Sequence, residues 1–277
     1  MVRRAPTRQL GVGMHVTRTD DQWKLLDEAD PSVPIVMLNL IRFREHALEG
    51  HGCDGMTGEQ AYDEYGRRLR ALAEQFPGTA FWVGEAHNTF IGPDDETWDL
   101  VLLVGYESVS IFRDMLATDA YQAAATARTA AVLDSRLVLV HENLNIGDAM
   151  TGWARDADTD DGPIVMLNLI QYRDAALEGH TCDAMTGKEA YTEYIRRLEA
   201  MNDHDFPGTL IWNGDAKATI IGPEEERWDR VVLVGYPSVA DFRRMAGSDV
   251  YQTAGPARTA AVGDSRLVLM HQSVPRS

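Results

Sequence analysis

The sequence has few cysteines and few basic residues for its length. Two of its 277 residues are cysteine, Cys53 and Cys182, which is too few for a disulfide framework and typical of a reduced, cytoplasmic compartment. Lysine and arginine number 26 against 43 acidic residues, so the net charge is −17. Nucleic acids and anionic membrane surfaces require basic patches. The composition therefore argues against both as partners.

Long apolar runs and cofactor motifs are also missing. No stretch approaches the roughly 18 apolar residues of a membrane span, and no apolar segment follows the basic start of the chain, so no secretory signal is predicted. The sequence holds no nucleotide fingerprint, phosphate loop, zinc signature or serine nucleophile elbow. We therefore expect no cofactor.

What the sequence does contain is a repeat. Residues 34–40 return unchanged as residues 163–169, and matching tracts follow at an offset of about 129 residues, which becomes about 130 after one insertion. Roughly two thirds of the aligned positions are identical. This pattern predicts a tandem duplication of one domain, with a leader (1–33), a first repeat (34–142), a linker (143–162), a second repeat (163–272) and a tail (273–277).

Each repeat has the pattern of an α+β domain. The apolar run 35–43 is typical of a strand covered on both faces, and the spacing from Thr57 to Gln60, and from Thr186 to Glu189, predicts capping boxes. Further strands are predicted at 80–91, 98–106 and 135–141. Helices are predicted after Ser108 and from Asp119 to about Val132, and in the second copy we expect Gly255-Pro256 to split the latter. In the leader, residues 22–28 predict a short helix capped by Asp20 or Asp21.

The resulting order is β-α-β-β-α-β, a ferredoxin-like unit with helices on one face of an antiparallel sheet. Each unit resembles the dimeric α/β barrels, and within them a small bacterial family of unknown function. The residues that carry this resemblance are Asn39, Tyr62, Tyr65, Trp82–Gly84, Val234–Phe242, Ser248–Gln252 and Arg258. The resemblance implies that the two repeats pair within one chain, with a pseudo-two-fold relation, to form an α/β barrel, and it also allows a homodimer. It further implies a small-molecule pocket between sheet and helices.

An arginine in the first helix of each repeat is a candidate anion anchor. Arg68 falls on the same helical side as Tyr65, and Arg197 repeats this arrangement beside Tyr194. A guanidinium that faces the sheet needs a carboxylate or an anionic ligand. Two interpretations follow, a substrate anchor or an internal ion pair, for example with Glu85 or Asp215. For Tyr121 and Arg128, seven residues apart on one helical face, we expect a structural pairing.

The second strand carries an acidic residue in both copies, Glu85 and Asp215. If both faces of the strand are covered, this carboxyl could be a general base with a raised pKa; the alternative is an edge-strand charge that discourages aggregation. The copies differ in few polar residues, chiefly Val83 and Asn213, His87 and Lys217, and Asn88 and Ala218. We therefore expect two equivalent, slightly different sites.

A loop with His, Cys, Asp and Met follows the first strand of each repeat. Imidazole and sulfur ligands suit a soft metal, Cu(I) especially, and a cysteine beside a histidine can be a nucleophile. However, each loop lacks a fixed fourth ligand and a cation that would lower the thiol pKa, so a structured loop that lines a cleft is favoured. The weak metal candidates are Cys53, Met56, Cys182 and Met185.

Three functions fit these features. The first is an enzyme without an organic cofactor that transfers protons on an activated carbonyl or anionic substrate, as relatives of this fold do in cyclisation, isomerisation, dehydration and cofactor-free oxygenation. The second is a non-catalytic ligand-binding or self-association module, and the third a haem- or metal-binding variant. For the enzyme, the catalytic candidates are Glu85, Asp215, His51, His180, Tyr65 and Tyr194. Substrate contacts are expected from Asn39, Asn168, Arg68, Arg197, Tyr62, Tyr191, Trp82 and Trp212.

Overall fold

The computed structural model describes residues 15–145, 147–150, 152–153, 162–202 and 205–273. Parts of the predicted leader, linker and tail lie outside these residues. The first repeat and the helix before it contain α1 (Asp20–Glu28), β1 (Ile35–Phe43), α2 (Gly58–Arg70), β2 (Gly78–Ile91), β3 (Leu100–Tyr106), α3 (Val109–Leu116), α4 (Asp119–Ala131) and β4 (Val132–Asn145). After a short 3-10 turn at Gly147–Met150, the second repeat contains β5 (Ile164–Tyr172), α5 (Gly187–Glu199), β6 (Thr209–Ile221), β7 (Arg230–Tyr236), α6 (Val239–Ala246), α7 (Asp249–Ala261) and β8 (Val262–Gln272).

The predicted helix starts are confirmed because they depend on local chemistry. The side chain of Thr57 accepts a hydrogen bond from the Gln60 backbone N–H at 3.2 Å, and the Gln60 side chain accepts one from the Thr57 N–H at 3.0 Å. Thr186 and Glu189 form the same capping box at the start of α5. These reciprocal bonds satisfy backbone donors that the first helical turn leaves open.

The eight strands form one hydrogen-bonded ring in the order β1-β3-β2-β8-β5-β7-β6-β4. Within the first repeat β1 pairs with β3, and within the second β5 pairs with β7, both antiparallel. The second half of β2 instead pairs with β8, with Glu85 opposite His271. The predicted ferredoxin-like order and barrel topology are therefore confirmed.

The chain divides into two compact units that do not coincide with the repeats. The first unit contains residues 1–81, 92–139 and 218–226, and the second contains residues 82–91, 140–217 and 227–277. The first unit thus includes the end of β6 from the second repeat, and the second unit includes most of β2 and the end of β4 from the first repeat. The end of β4 contributes Asn143 to a polar network described below.

Alanines line the buried side of the long helix in each unit. Ala124, Ala127, Ala130 and Ala131 of α4 are almost fully buried, as are Ala254, Ala257, Ala260 and Ala261 of α7. Small side chains let a helix backbone approach its neighbours closely. The space between the long helix and the sheet is filled mainly by larger residues on β1 and α2, or on β5 and α5.

The structure corrects two predictions about helices. Helix α7 continues through Pro256, although Pro removes one backbone hydrogen bond. Its alanines are fully buried against neighbouring elements, and this tertiary packing outweighs the local preference to break. The cap of α1 is Thr19, which forms a capping box with Gln22, and not Asp20 or Asp21. No helix among the described residues combines the length and the hydropathy that crossing a membrane requires.

Candidate functional site

Four tyrosines lie together in the second unit. The Tyr191 ring on α5 is 5.3 Å from the Tyr172 ring at the end of β5 and 5.6 Å from the Tyr194 ring one turn along α5. The Tyr194 hydroxyl is 2.9 Å from the Tyr251 hydroxyl of α7, and either oxygen can be the donor. The group therefore joins two helices and the sheet through both ring packing and a hydroxyl pair.

Burial keeps three of these phenols, those of Tyr172, Tyr191 and Tyr194, neutral near pH 7. Burial raises the pKa of Tyr172 to about 12, against the opposing charge of Arg230. Burial likewise raises the pKa of Tyr191 and of Tyr194, and for Tyr194 the charge and the hydrogen bond of Tyr251 add to the effect. A neutral phenol can donate a hydrogen bond to an anionic oxygen.

The first unit contains the counterpart of this cluster. The Tyr62 ring is 5.4 Å from Phe43 and 5.5 Å from Tyr65. Burial raises the pKa of Tyr62 to about 12 and also raises the pKa of Tyr65, to which a hydrogen bond with Tyr121 contributes. The member on the first strand is here a phenylalanine, so this cluster is less polar.

Arg258 of α7 adds a positive charge to the cluster of the second unit. Its charge acts on both Tyr191 and Tyr194, where it opposes the rise in pKa that burial causes. The guanidinium is half-buried, and its hydrogen-bond partner among the described residues is the Ser265 hydroxyl, at 3.3 Å. This is a cation whose described partner carries no charge.

Arg128, the equivalent in the first unit, has more partners. It donates to the Val16 carbonyl at 2.5 Å and to the Ser135 hydroxyl at 3.0 Å. Ser135 in turn donates to the His15 carbonyl from its backbone and from its hydroxyl, each at 2.8 Å. The segment before α1 thus covers Arg128, which is only 8% exposed. The pairing expected between Tyr121 and Arg128 is replaced by these backbone and serine contacts.

Arg68 and Arg197 are engaged within their own helix. Arg68 Nε donates to Glu64 at 2.8 Å, and Arg197 Nε donates to Glu193 at 2.8 Å. A hydrogen bond from Arg68 Nη1 to Thr126, at 3.3 Å, also ties α2 to α4. The internal ion pair is therefore formed with the residue one turn earlier, not with Glu85 or Asp215, because that carboxylate is already within reach on the helix.

Asp215 lies in a polar network of the second unit. Its Oδ1 accepts from Arg230 at 2.9 Å and from Asn143 at 2.8 Å, while Arg230 also donates to the Asn213 side chain at 2.7 Å. Burial alone would raise the pKa of the Asp215 carboxyl, but the bonds from Asn143 and Arg230, with the charges of Arg230 and Lys217, hold it below its ordinary value. The predicted raised pKa is therefore wrong for Asp215.

Glu85, its counterpart, is exposed. The expectation that both faces of this strand are covered does not apply at Glu85, because β2 here lies beside β8 with its side chain turned to solvent. The structure gives Glu85 no contact with the tyrosine cluster of either unit.

The two His-Cys-Met loops close on themselves. Cys53 and Cys182 are 1% and 0% exposed and belong to the apolar cores, while His51 and His180 are half-buried. In the first loop the Met56 backbone donates to the Cys53 carbonyl at 3.2 Å. Among the described residues no three His, Cys, Asp or Glu side chains converge on a metal site. The cores also take up Met56 and Met185 as packing residues.

The asparagines and tryptophans predicted to contact a substrate are instead hydrogen-bonded to the backbone or buried in the protein. Asn39 and Asn168 each donate to the carbonyl two residues earlier, at 3.1 Å and 3.4 Å. Trp212 is buried and its Nε1 donates to Glu142 at 2.6 Å. Trp82 is equally buried, but its Nε1 has no partner among the described residues. A shallow surface cleft on the first unit involves other residues, namely Met56, Gln60, Asp63, Glu64, Arg67 and Arg70.

Two arginines of the second unit received no role from the sequence. In the sequence, Arg258 stands out only as one of the residues that carry the family resemblance. The helical periodicity of α7 does not reveal whether a carboxylate faces this arginine. Arg230 replaces Leu100 directly after the shared Trp-Asp pair. An alignment of the two copies reveals this substitution, and it is the signal that could have identified the polar network.

Comparison with known proteins identifies the family. The family described as "Domain of unknown function (DUF1330)" matches residues 55–143 and 181–272. The chain belongs to this family. The two matched ranges fall in the two repeats, so this DUF1330 protein is a tandem duplication of the family's domain. None of the curated proteins compared with the chain matches it.

Several solved structures resemble the DUF1330 protein. RPA0582, a protein of unknown function from Rhodopseudomonas palustris, is 37% identical; the match covers 46% of this chain and 95% of RPA0582, with a TM-score of 0.43. A heme-binding protein from Thermus thermophilus is 13% identical, with 89% and 96% covered and a TM-score of 0.46. A chlorite dismutase from Candidatus Nitrospira defluvii is 12% identical, with 92% and 96% covered and a TM-score of 0.42.

Proposed function

We propose that the protein binds a small organic molecule with a carboxylate or enolate group, between α5, α7 and the sheet of the second unit. The observation that carries this proposal is Arg258, a half-buried guanidinium whose described partner is the neutral Ser265 hydroxyl. A cation removed from water without an opposite charge is costly. An anionic ligand would supply that charge through short, charge-assisted hydrogen bonds.

The neighbouring tyrosines favour the same kind of ligand. Tyr191 and Tyr194 lie within the influence of the Arg258 charge and remain protonated near pH 7. Neutral hydroxyls and a guanidinium together form a set of donors, which suits an anionic oxygen and not a cation. The packed rings favour a ligand with an apolar or aromatic body.

We extend the proposal to proton transfer on an activated carbonyl compound without an organic cofactor, in a cyclisation, isomerisation, dehydration or oxygenation. Asp215, held ionised by Asn143 and Arg230 in the polar network of the second unit, would accept the proton. Its low pKa makes it a weak base, so the substrate would have to be acidified by the donor set around Arg258. Asp215→Asn should then abolish turnover of a bound substrate, with Glu199→Gln, an exposed carboxyl on α5, as the control.

A thermal-shift screen tests the binding proposal. The panel consists of benzoate, the three monohydroxybenzoates and acetoacetate, because a ligand that binds only the native state raises the melting temperature. We expect stabilisation of the wild type and of Arg196→Ala, and its loss in Arg258→Ala. Arg196 is an apt control because it is exposed on α5 and carries the same charge.

Other results of the screen would contradict or narrow the binding proposal. Equal stabilisation of wild type and Arg258→Ala would reject Arg258 as the anchor, and no stabilisation by any panel member would reject an organic-acid site. Binding without turnover would favour the non-catalytic module. A Soret band in the purified protein would make haem the ligand and overturn the proposal.

A further inference from the structure

Three aligned positions are apolar in the first repeat and polar in the second. In the first unit two of the apolar side chains pack against the core beneath α2 and α4. In the second unit Tyr172 and Val232 pack against the core beneath α5 and α7. Asn213 is the register partner of Val232 on the neighbouring strand, so its side chain lies on the same face of the sheet. The pairs of residues are Phe43 and Tyr172, Val83 and Asn213, and Leu100 and Arg230.

The new polar residues form one network. Arg230 donates to Asp215 and to Asn213, and Asn213 is 4% exposed. Two of the five N–H donors of a guanidinium are thus used among the described residues. The network fixes the orientation of Arg230, which is itself 29% exposed, and leaves donors for a further acceptor.

Two arginine charges therefore reach the same tyrosine. Both Arg258 and Arg230 act on the Tyr191 phenol, which lies between the helix that carries it and the end of β5. In the first unit the residue at the position of Arg230 is Leu100, and among the described residues the one cation that acts on Tyr62 is Arg128. A ligand beside Tyr191 could bind two separate cationic groups, whereas one beside Tyr62 could not.

In the first unit, residues 15–16 cover the arginine that corresponds to Arg258. Val16 packs against the apolar core there and its carbonyl binds Arg128. His15 is held by Asp134, whose side chain accepts from the His15 backbone at 2.7 Å. Arg128 consequently has its acceptors within the protein, and it is buried where Arg258 is half-buried.

We propose that the two copies have separate roles, with one ligand site per chain, in the second unit, and with Arg230, Asn213 and Tyr172 as the residues that select the ligand. The selected ligand carries a second polar group, such as a hydroxyl or keto oxygen, beside its carboxylate. The first unit is then a structural partner whose arginine is capped by residues 15–16. This inference rests on the proposed function and adds to it the number of sites and the substrate class.

Isothermal titration calorimetry of the full-length protein tests the inference, with benzoate and the three monohydroxybenzoates as probes. We expect a stoichiometry of one per chain and a hydroxybenzoate that binds at least about fivefold more tightly than benzoate, from one added hydrogen bond. Arg230→Leu, which restores the first-unit residue, should remove this preference while benzoate still binds. Tyr251→Phe should weaken binding, whereas Tyr121→Phe, its counterpart in the first unit, should not.

The outcomes separate the two proposals. A stoichiometry of two ligands per chain, or an equal loss of affinity in Tyr251→Phe and Tyr121→Phe, would overturn the division of roles. The proposal that the protein binds an organic acid would be unaffected. An unchanged preference in a folded Arg230→Leu would overturn the selecting role of Arg230; if that variant unfolds, Asn213→Val takes its place with the same expected result. Absence of binding by all four probes and by acetoacetate in the wild type would overturn the proposed function itself.

Discussion

Glu226 is expected to be one of the most sensitive positions for stability. It accepts from Arg136 Nε at 2.8 Å, and each side chain is only 7% exposed. The Arg136 guanidinium also lies 5.1 Å from the Trp98 ring and binds Asp134 at 3.2 Å. This interaction joins β4 to the loop after β6 within the first unit. Glu226→Gln removes the charge of one partner and keeps its size.

The expected cost follows from burial. Removal of one partner of a buried ion pair leaves the other charge uncompensated, which costs about 3–5 kcal/mol. Because Asp134 still binds Arg136, we expect the lower end, about 3 kcal/mol. An exposed pair is worth far less, so Lys24→Gln, which breaks an exposed pair with Asp21, should leave stability nearly unchanged.

Urea unfolding followed by far-ultraviolet circular dichroism measures this difference. The free energies of unfolding of wild type, Glu226→Gln and Lys24→Gln are compared at pH 7. A loss below about 1 kcal/mol for Glu226→Gln would refute the reasoning, because it would place this pair in the range of solvent-exposed ones. The pair Arg136→Leu and Glu226→Leu, alone and combined, would then measure any coupling directly.

Two further predictions concern helices. Pro256→Thr, which introduces the residue of the first repeat, should raise the free energy of unfolding by about 1–2 kcal/mol because α7 regains a backbone hydrogen bond; no gain in urea unfolding would show that the helix is fully adapted to proline. Hydrogen bonds from adjacent arginines lower the pKa of Glu64 and of Glu193 to about 2, from an ordinary value of 4.5. The stability that these two carboxylates contribute is therefore complete above about pH 4.5 and is lost as the pH falls towards 2. The double variant with glutamine at both positions should consequently lose less stability than the wild type across that window. Parallel acid-unfolding curves of the two proteins would contradict this.

The sequence predicted well those features that depend on neighbours along the chain. The repeat, the bounds of β1 and the two capping boxes at Thr57 and Thr186 need only local hydrogen bonds and the apolar pattern. The order of elements follows from them. The resemblance to dimeric α/β barrels also led to the correct strand topology.

The site was predicted less well because its partners come from separate parts of the chain. The period of α2 placed Arg68 near Tyr65, but it could not decide between Glu85 and the carboxylate of Glu64 four residues earlier. The pairing of β6 with β7 sets Arg230 opposite Asp215, and this register reverses the expected direction of the pKa. Similarly, the segment that covers Arg128 contains residues 15–16, which lie more than 100 positions earlier in the chain, so the helical periodicity of α4 could not predict this contact.

A crystal structure with a ligand from the panel bound is the most direct test of the account. We predict difference density for the ligand carboxylate at the Arg258 guanidinium, beside Tyr191 and Tyr194, in the second unit of each chain. Density at Arg128 in the first unit would contradict the division of roles. Ligand density that contacts neither arginine would contradict the central claim, that these tyrosines and Arg258 form the binding site.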